Sequence, residues 1–349
     1  MRYLLAAALS LCLLTVPILA LSTDVKITNN SENDIRNATT LALSEDLTIG
    51  VEDGDEDETF GRVSGIATDS HGNIFVVDSG YIRVKKYDPN GGFLLSFGRK
   101  GEGPGEFARP GAIAIDANDN VYVAGSGSRV SVFGPDGTHI EDFRREIAYS
   151  YVQGIGFDRD GNFLVCSFDL PTRKVLHKFD ADHKCQLSFC DSYAAGTDVP
   201  PDEETFQAGG AFAVASDGAI YFTQRYPYEI RRFAPDGTLT EKILRENDFM
   251  FPAKIERKGD GASFRMGASC YQILFLQDGT FLNFAYIPNL DDYEAAETVI
   301  DLFDAEGSLL ASHRLTGLMF AHTIDDQGRV YFADRREFPR VVRYRIDVR

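Results

Sequence analysis

Few side chains in this chain could do chemistry, and they are scattered. His322 stands where equivalent segments carry Ile66, Ile113 and Ile155. An imidazole at such a place could serve as a ligand or a base. A hydrogen-bonded core histidine is the plainer reading. Arg62, Arg109 and Tyr151 share one position, just before a strand expected to be innermost. Two guanidinium groups on one rim could hold a carboxylate or phosphate, or they could pair with the acidic chain around them. Arg225, Tyr226, Tyr228, Tyr286 and Arg335 fall in segments expected at the same end, with Tyr149, Arg336 and Phe338. Tyrosine and arginine are common anchors of binding surfaces.

Other signals are weaker. Glu52 to Glu58 holds six carboxylates, but without the alternating Asp-x-Asp-x-Asp-Gly spacing of a calcium loop. A solvated acidic crossing is expected there. His71, His139, His177, His183 and His313 show no zinc spacing. Gly98 to Gly105 lacks the Gly-Lys-Ser/Thr end of a phosphate loop. No Gly-x-Ser-x-Gly elbow occurs. No cofactor is expected, with calcium or zinc in a channel as the alternative.

The elements that must position these residues repeat. An apolar strand, a tight Asp/Gly turn and a second apolar strand read Ile66-Ala-Thr-Asp-Ser-His-Gly-Asn-Ile-Phe-Val-Val-Asp78. The phrase returns at Ile113–Val123, Ile155–Val165, Phe212–Phe222, Ile273–Leu282 and Ile324–Phe332. Each copy is followed by a third strand and, where the chain continues, a Pro-Asp-Gly-type turn and a fourth, as in Ile230-Arg-Arg-Phe-Ala-Pro-Asp-Gly237. Alternating apolar residues bounded by such turns are antiparallel strands. Four strands repeated six times predict an all-β, six-bladed β-propeller of four-stranded antiparallel blades. The last repeat stops after its third strand. The unassigned strand at Leu41 to Val51 is expected to complete that blade and close the ring, which removes an open edge.

The segment Phe97-Gly-Arg-Lys-Gly-Glu-Gly-Pro-Gly-Glu-Phe107-Ala-Arg-Pro110, with Ile113-Ala-Ile-Asp116 and Asn120-Val-Tyr-Val123, resembles the NHL-repeat family. It looks most like that family's exported bacterial six-bladed propellers. Asp119 stands where the family usually has glycine, a change that a turn tolerates. The resemblance implies an interaction module. Related propellers also include lactonases and lyases that hold calcium or zinc in the channel, and envelope-assembly partners. These remain the alternative readings.

With the strands of each blade named a to d, the a–b and c–d turns lie at one end. The b–c loops and d-to-a crossings lie at the other. The long segments Ser192–Gly209, Asn247–Ser269 and Tyr286–Thr298 all fall at the second end, the candidate functional face. Asp78 with Arg83 and Asp334 with Arg340 are expected to tie b–c loops.

Residues 1–22 read as a secretory leader, 23–40 as a disordered polar tail and 41–349 as the propeller. An exported chain, periplasmic or extracellular, is therefore expected, with no membrane insertion after cleavage. The net charge of −18 disfavours a nucleic-acid partner, since phosphate binding needs a concentrated basic surface and the sequence shows none. Cys166, Cys185, Cys190 and Cys270 leave buried thiols or one long-range bridge open. The expected partner is a protein or peptide, or an anionic small ligand at the channel mouth, and the expected state is a monomer.

Overall fold

In the computed structural model, residues 25–35, 39–145, 152–193, 204–205, 208–258, 261–289, 291–292 and 295–349 are described. The expected leader lies outside them. Local turn chemistry makes the repeat. In the first hairpin Asp69 Oδ1 accepts from the His71 and Asn73 N–H groups at 3.0 and 2.8 Å, and Gly72 takes φ 77°, a left-handed value that glycine adopts freely. Asp116, Asp158 and Asp325 form the same collar. In the second hairpin Asp119 takes the glycine position at φ 62°. Its carboxylate accepts from the N–H and hydroxyl of Ser70 in the neighbouring blade.

The turns join strands that meander outward from a central channel. The blades are β3–β6 (Val63–Thr68, Ile74–Asp78, Arg83–Tyr87, Phe93–Phe97), β7–β10 (Pro110–Ile115, Val121–Gly125, Arg129–Phe133, His139–Arg144), β11–β14 (Gly154–Phe157, Phe163–Asp169, Lys174–Phe179, Cys185–Asp191) and β15–β18 (Gly210–Val214, Ile220–Gln224, Glu229–Phe233, Leu239–Arg245). The fifth is β21–β24 (Ser269–Phe275, Phe281–Ile287, Glu297–Phe303, Leu309–Thr316). The sixth is β25–β27 (Met319–Ile324, Arg329–Asp334, Arg340–Val348) completed by β2 (Leu41–Ile49). The chain is a six-bladed β-propeller, and β2 runs antiparallel to β27 to close the ring, as expected. The core is divided into six apolar clusters, one at each blade-to-blade interface. No blade can bury its faces alone, so stability is a property of the ring.

Residues 25–35, within the segment 23–40 expected as a disordered tail, are ordered. Lys26–Asn30 forms β1, a fifth strand added parallel to β18 at the outer edge of blade four. Asn30, 5% exposed, reaches blade five: its amide donates to the Gly307 carbonyl at 2.9 Å and its Oδ1 accepts from the Leu309 N–H at 2.8 Å. Lys26 pairs with Glu241 at 2.6 Å and donates to the Glu306 carbonyl. Glu32 then meets Arg245 at 3.4 Å. The segment from β1 to β2 is thus a strap across blades four, five and six. Its polar side chains gave no apolar pattern to read.

Beneath the strap lies a buried ionic cluster. Arg245 Nε pairs with Asp301 Oδ2 at 3.1 Å, and neither side chain is exposed. The Tyr228 hydroxyl donates to the same Oδ2 at 2.6 Å.

The crossing Glu52–Glu58 keeps its carboxylates in solvent but is anchored through its backbone. Lys85, fully buried, donates to the carbonyls of Glu56 and Thr59, and Arg83 pairs with the Glu56 carboxylate. Arg83 therefore does not tie to Asp78. Asp78 instead accepts from the N–H groups of Gly61, Arg62 and Tyr81. Asp334 and Arg340 do pair, at 2.8 Å. The four thiols are free.

Candidate functional site: the channel mouth

The inner strands β3, β7, β11, β15, β21 and β25 wall a central cavity of about 970 Å³. Arg62, Arg225, Tyr226, His322 and Arg335 all line it. Three expected guanidinium groups are thus gathered at one mouth of an acidic molecule. Arg62 is exposed, and its backbone is set by Asp78 Oδ1 at 3.0 Å. Arg335 donates to the Val63 carbonyl at 2.7 Å and lies 5.2 Å over the Phe320 ring, so it bridges blades six and one. Tyr226 meets Tyr193 edge-on at 6.2 Å.

Two expected residues belong elsewhere. Arg109 faces a separate pocket of about 230 Å³ with Glu102, Glu106, Arg129 and Arg144. Blade two has Gly125 where blade one has Asp78, so no carboxylate holds the segment before its inner strand. Tyr228 is 4% exposed. It lies two residues before Ile230, and alternate residues of a strand share a face, so it points with Ile230 into the interface with blade five. Tyr151 and Tyr149 lie outside the described residues.

The wall also contains residues that motif reasoning missed. Tyr271 packs on Phe320 at 5.5 Å, beside the expected Tyr286, which does so at 5.2 Å. The Tyr271 hydroxyl accepts from the Ala321 N–H, and Gln272 Nε2 donates to the His322 carbonyl at 2.6 Å. Gln153 holds the start of blade four, accepting from the Gly210 N–H at 2.9 Å. Their signal was register: Gln153, Tyr271 and Phe320 all stand five residues before the first residue of an a–b turn.

His322 is the extra residue of a bulge, since Ala321 pairs with Phe332 and Thr323 with Tyr331. Bulges re-aim side chains, and this one places the imidazole in the channel wall. Its Nε2 is buried with no hydrogen-bond partner. Burial, aided by the Arg335 charge, pushes the imidazole down to about 3. It is a neutral polar group at pH 7 and a poor proton carrier. The folded value lies below that of the unfolded chain. Between pH 6.5 and 3 the unfolded chain therefore holds a proton the folded chain lacks, and stability falls as pH drops. His322→Ile is expected to remove about 1–2 kcal/mol of the stability lost between pH 7.5 and 4.5, discounted for the ring's partial exposure. Urea melts of both proteins at both pH values check this. Equal losses in the two proteins would contradict the assignment.

A channel calcium or zinc fits poorly. The cavity lining sets one imidazole and Asp326 against three guanidinium groups. Among the described residues no three His, Cys, Asp or Glu side chains converge on a common point.

Residues 53–153 match the family described as DUF5128, 6-bladed beta-propeller. Among curated proteins no sequence matches the chain. Three solved structures share its architecture. A Bacteroides vulgatus member of the duf4221 family is 9% identical with a TM-score of 0.62, over 90% of this chain and 99% of its own. A Bacteroides fragilis protein labelled a candidate exported protein is 12% identical with a TM-score of 0.60, over 92% and 100%. Virginiamycin B lyase from Staphylococcus aureus is 11% identical with a TM-score of 0.51, over 88% and 99%. At these identities the likeness shows the fold alone: this chain is a six-bladed β-propeller.

Proposed function

We propose that the chain is an exported binding propeller that takes a protein or peptide partner on its long-loop face. The observation that carries this reading is a set of apolar side chains left in water there. Tyr81 and Leu170, on b–c loops, are 54% and 47% exposed, and Met266, on the crossing into blade five, is 45% exposed. They lie at the same end as a mouth lined by Arg62, Arg225, Tyr226 and Arg335, and Met266 itself lines that cavity. Apolar anchors rimmed by cations suit a partner surface with complementary aromatic and acidic groups.

Beside them stands β19–β20 (Lys254–Lys258 and Gly261–Arg265), which forms a two-stranded sheet of its own. The NHL resemblance and the leader-like start support an exported interaction module. Among the described residues no helix is long and apolar enough to cross a membrane.

The test is a photocrosslinking residue at position 81, with another at Asn118 on the opposite face, in exporting cells. One dominant protein is expected from position 81 and not from position 118. Leu170→Ser with Met266→Ser is expected to reduce that product at least fivefold at an unchanged melting temperature. A product of equal yield from both faces, or one indifferent to the double substitution, would overturn the proposal.

A further inference from the structure

The cavity is longer and more apolar than a docking rim requires. We propose that the central channel binds a single-headed anionic amphiphile: an oxyanion head, carboxylate or phosphate, on a hydrocarbon body. The head sits at the arginine mouth and the body runs along the inner strands. This rests on the channel lining alone and stands apart from the partner reading.

The a–b turns put the six inner strands in one register. The third residue before each turn is Ile66, Ile113, Ile155, Phe212, Ile273 or His322, and all six line the cavity. Five of the six are apolar: Ile113 and Phe212 are half-buried, and Ile66, Ile155 and Ile273 back them from the blade interfaces, so the middle of the channel is an apolar girdle. Ile66 lies four residues beyond Arg62, about 13 Å along the wall at ~3.3 Å per residue. Thr68, Ile115 and Ile324 continue the wall beyond the girdle. The volume of about 970 Å³ lies near the top of the range for small-molecule sites.

Polarity changes along this length. Arg62, Arg225 and Arg335 border one end, while Asp326 borders the other. A chain of net charge −18 repels anions at a distance, but among the described residues the cavity lining at this opening carries three guanidinium groups and no carboxylate. An anionic head is drawn to the arginine end and repelled from Asp326. Guanidinium matches carboxylate and phosphate oxygens in pairs.

A hydrocarbon body leaves no polar atom in the girdle. A peptide would bring backbone N–H and C=O groups against isoleucine, and each left unpaired costs free energy. This separates an amphiphile from a threaded chain end. His322, with its buried and unpartnered Nε2, is the girdle's polar exception.

The test is calorimetric titration of the full chain, after removal of the leader, with dodecanoate and with dodecyl phosphate, each below its micelle concentration. Dodecanol and acetate are the controls. One or both anionic amphiphiles are expected to bind at one per chain, and the tighter of the two names the head. Dodecanol and acetate are expected to bind at least tenfold more weakly. Arg62→Glu, at an exposed side chain, is expected to weaken the anion at least tenfold without changing the melting temperature. Ile113→Glu is expected to abolish binding, with the melting temperature reporting whether the ring survives. No binding of either anion, equal binding of dodecanol, or indifference to Arg62→Glu would overturn the proposal. Crosslinking from position 81 on the Ile113→Glu protein reads the partner separately, since that substitution leaves the loop rim untouched.

Discussion

Asp301→Ala is expected to lower the unfolding free energy by about 3–5 kcal/mol, the usual cost of stranding one partner of a buried ion pair. Arg245 would keep its charge in a site with no exposed side-chain surface. Its remaining acidic neighbour, Glu32, lies 3.4 Å away on the strap with a side chain 62% exposed, and is too solvated to replace a buried carboxylate. The Tyr228 hydroxyl would also lose its acceptor. Burial already pushes the Asp301 carboxyl above its ordinary value, against the opposing pull of Arg245, so desolvation dominates this site. Arg245→Met with Asp301→Leu is expected to recover most of the loss, because no charge is then left unpaired. The chain has no tryptophan, so tyrosine fluorescence and near-ultraviolet circular dichroism would follow the urea transition. A single-variant loss below about 1 kcal/mol would show that water or a neighbour already serves the pair.

Deleting residues 23–49 is expected to abolish cooperative unfolding altogether. Blade six would keep β25, β26 and β27 but lose eight paired residues of β2, together with Leu41 and Ile49, which are buried in the clusters on either side. An open ring exposes an unpaired β27 edge and two unsealed interfaces. A shorter deletion, residues 23–38, removes β1 and Asn30 but leaves the ring closed. It is expected to cost only about 2–4 kcal/mol, the scale of a few buried hydrogen bonds and two half-exposed ion pairs. Adding a peptide of residues 39–51 to the long deletion is expected to restore a cooperative transition. If the long deletion unfolds in one step at the parent midpoint, β2 does not close the ring.

The blades were legible because their turns are local chemistry. An aspartate four residues before its backbone partner, with a glycine between, specifies a hairpin wherever it occurs. Ring closure was legible by elimination, since one strand was left over and one blade was incomplete. The strap was not. Thr28 meets Glu241 across 213 residues, in a parallel pairing with no turn to announce it. At the mouth, Arg62 and Arg109 look alike in sequence and differ in outcome. What separates them is Asp78 against Gly125, residues on a different strand from the arginines they govern. The His322 bulge was hidden for a related reason: a bulge is a mismatch between two strands, and neither strand alone records it. Tyr228 was misplaced because strand alternation continues past the end of β17.

The strap also has a consequence in time. Strands β1 and β2 precede every other strand of the six blades in the chain and pair with strands that are made much later. Residues 26–30 wait for Leu239–Arg245, and residues 41–49 wait for Arg340–Val348. Until then the emerging chain carries two unpaired strands and an open ring, a state that invites pairing with other chains. Charged and polar residues interrupt both strands, Lys-Ile-Thr-Asn-Asn and Leu-Ala-Leu-Ser-Glu-Asp-Leu-Thr-Ile, which works against such pairing through that interval. The composition that hid the strap from view is what lets it wait.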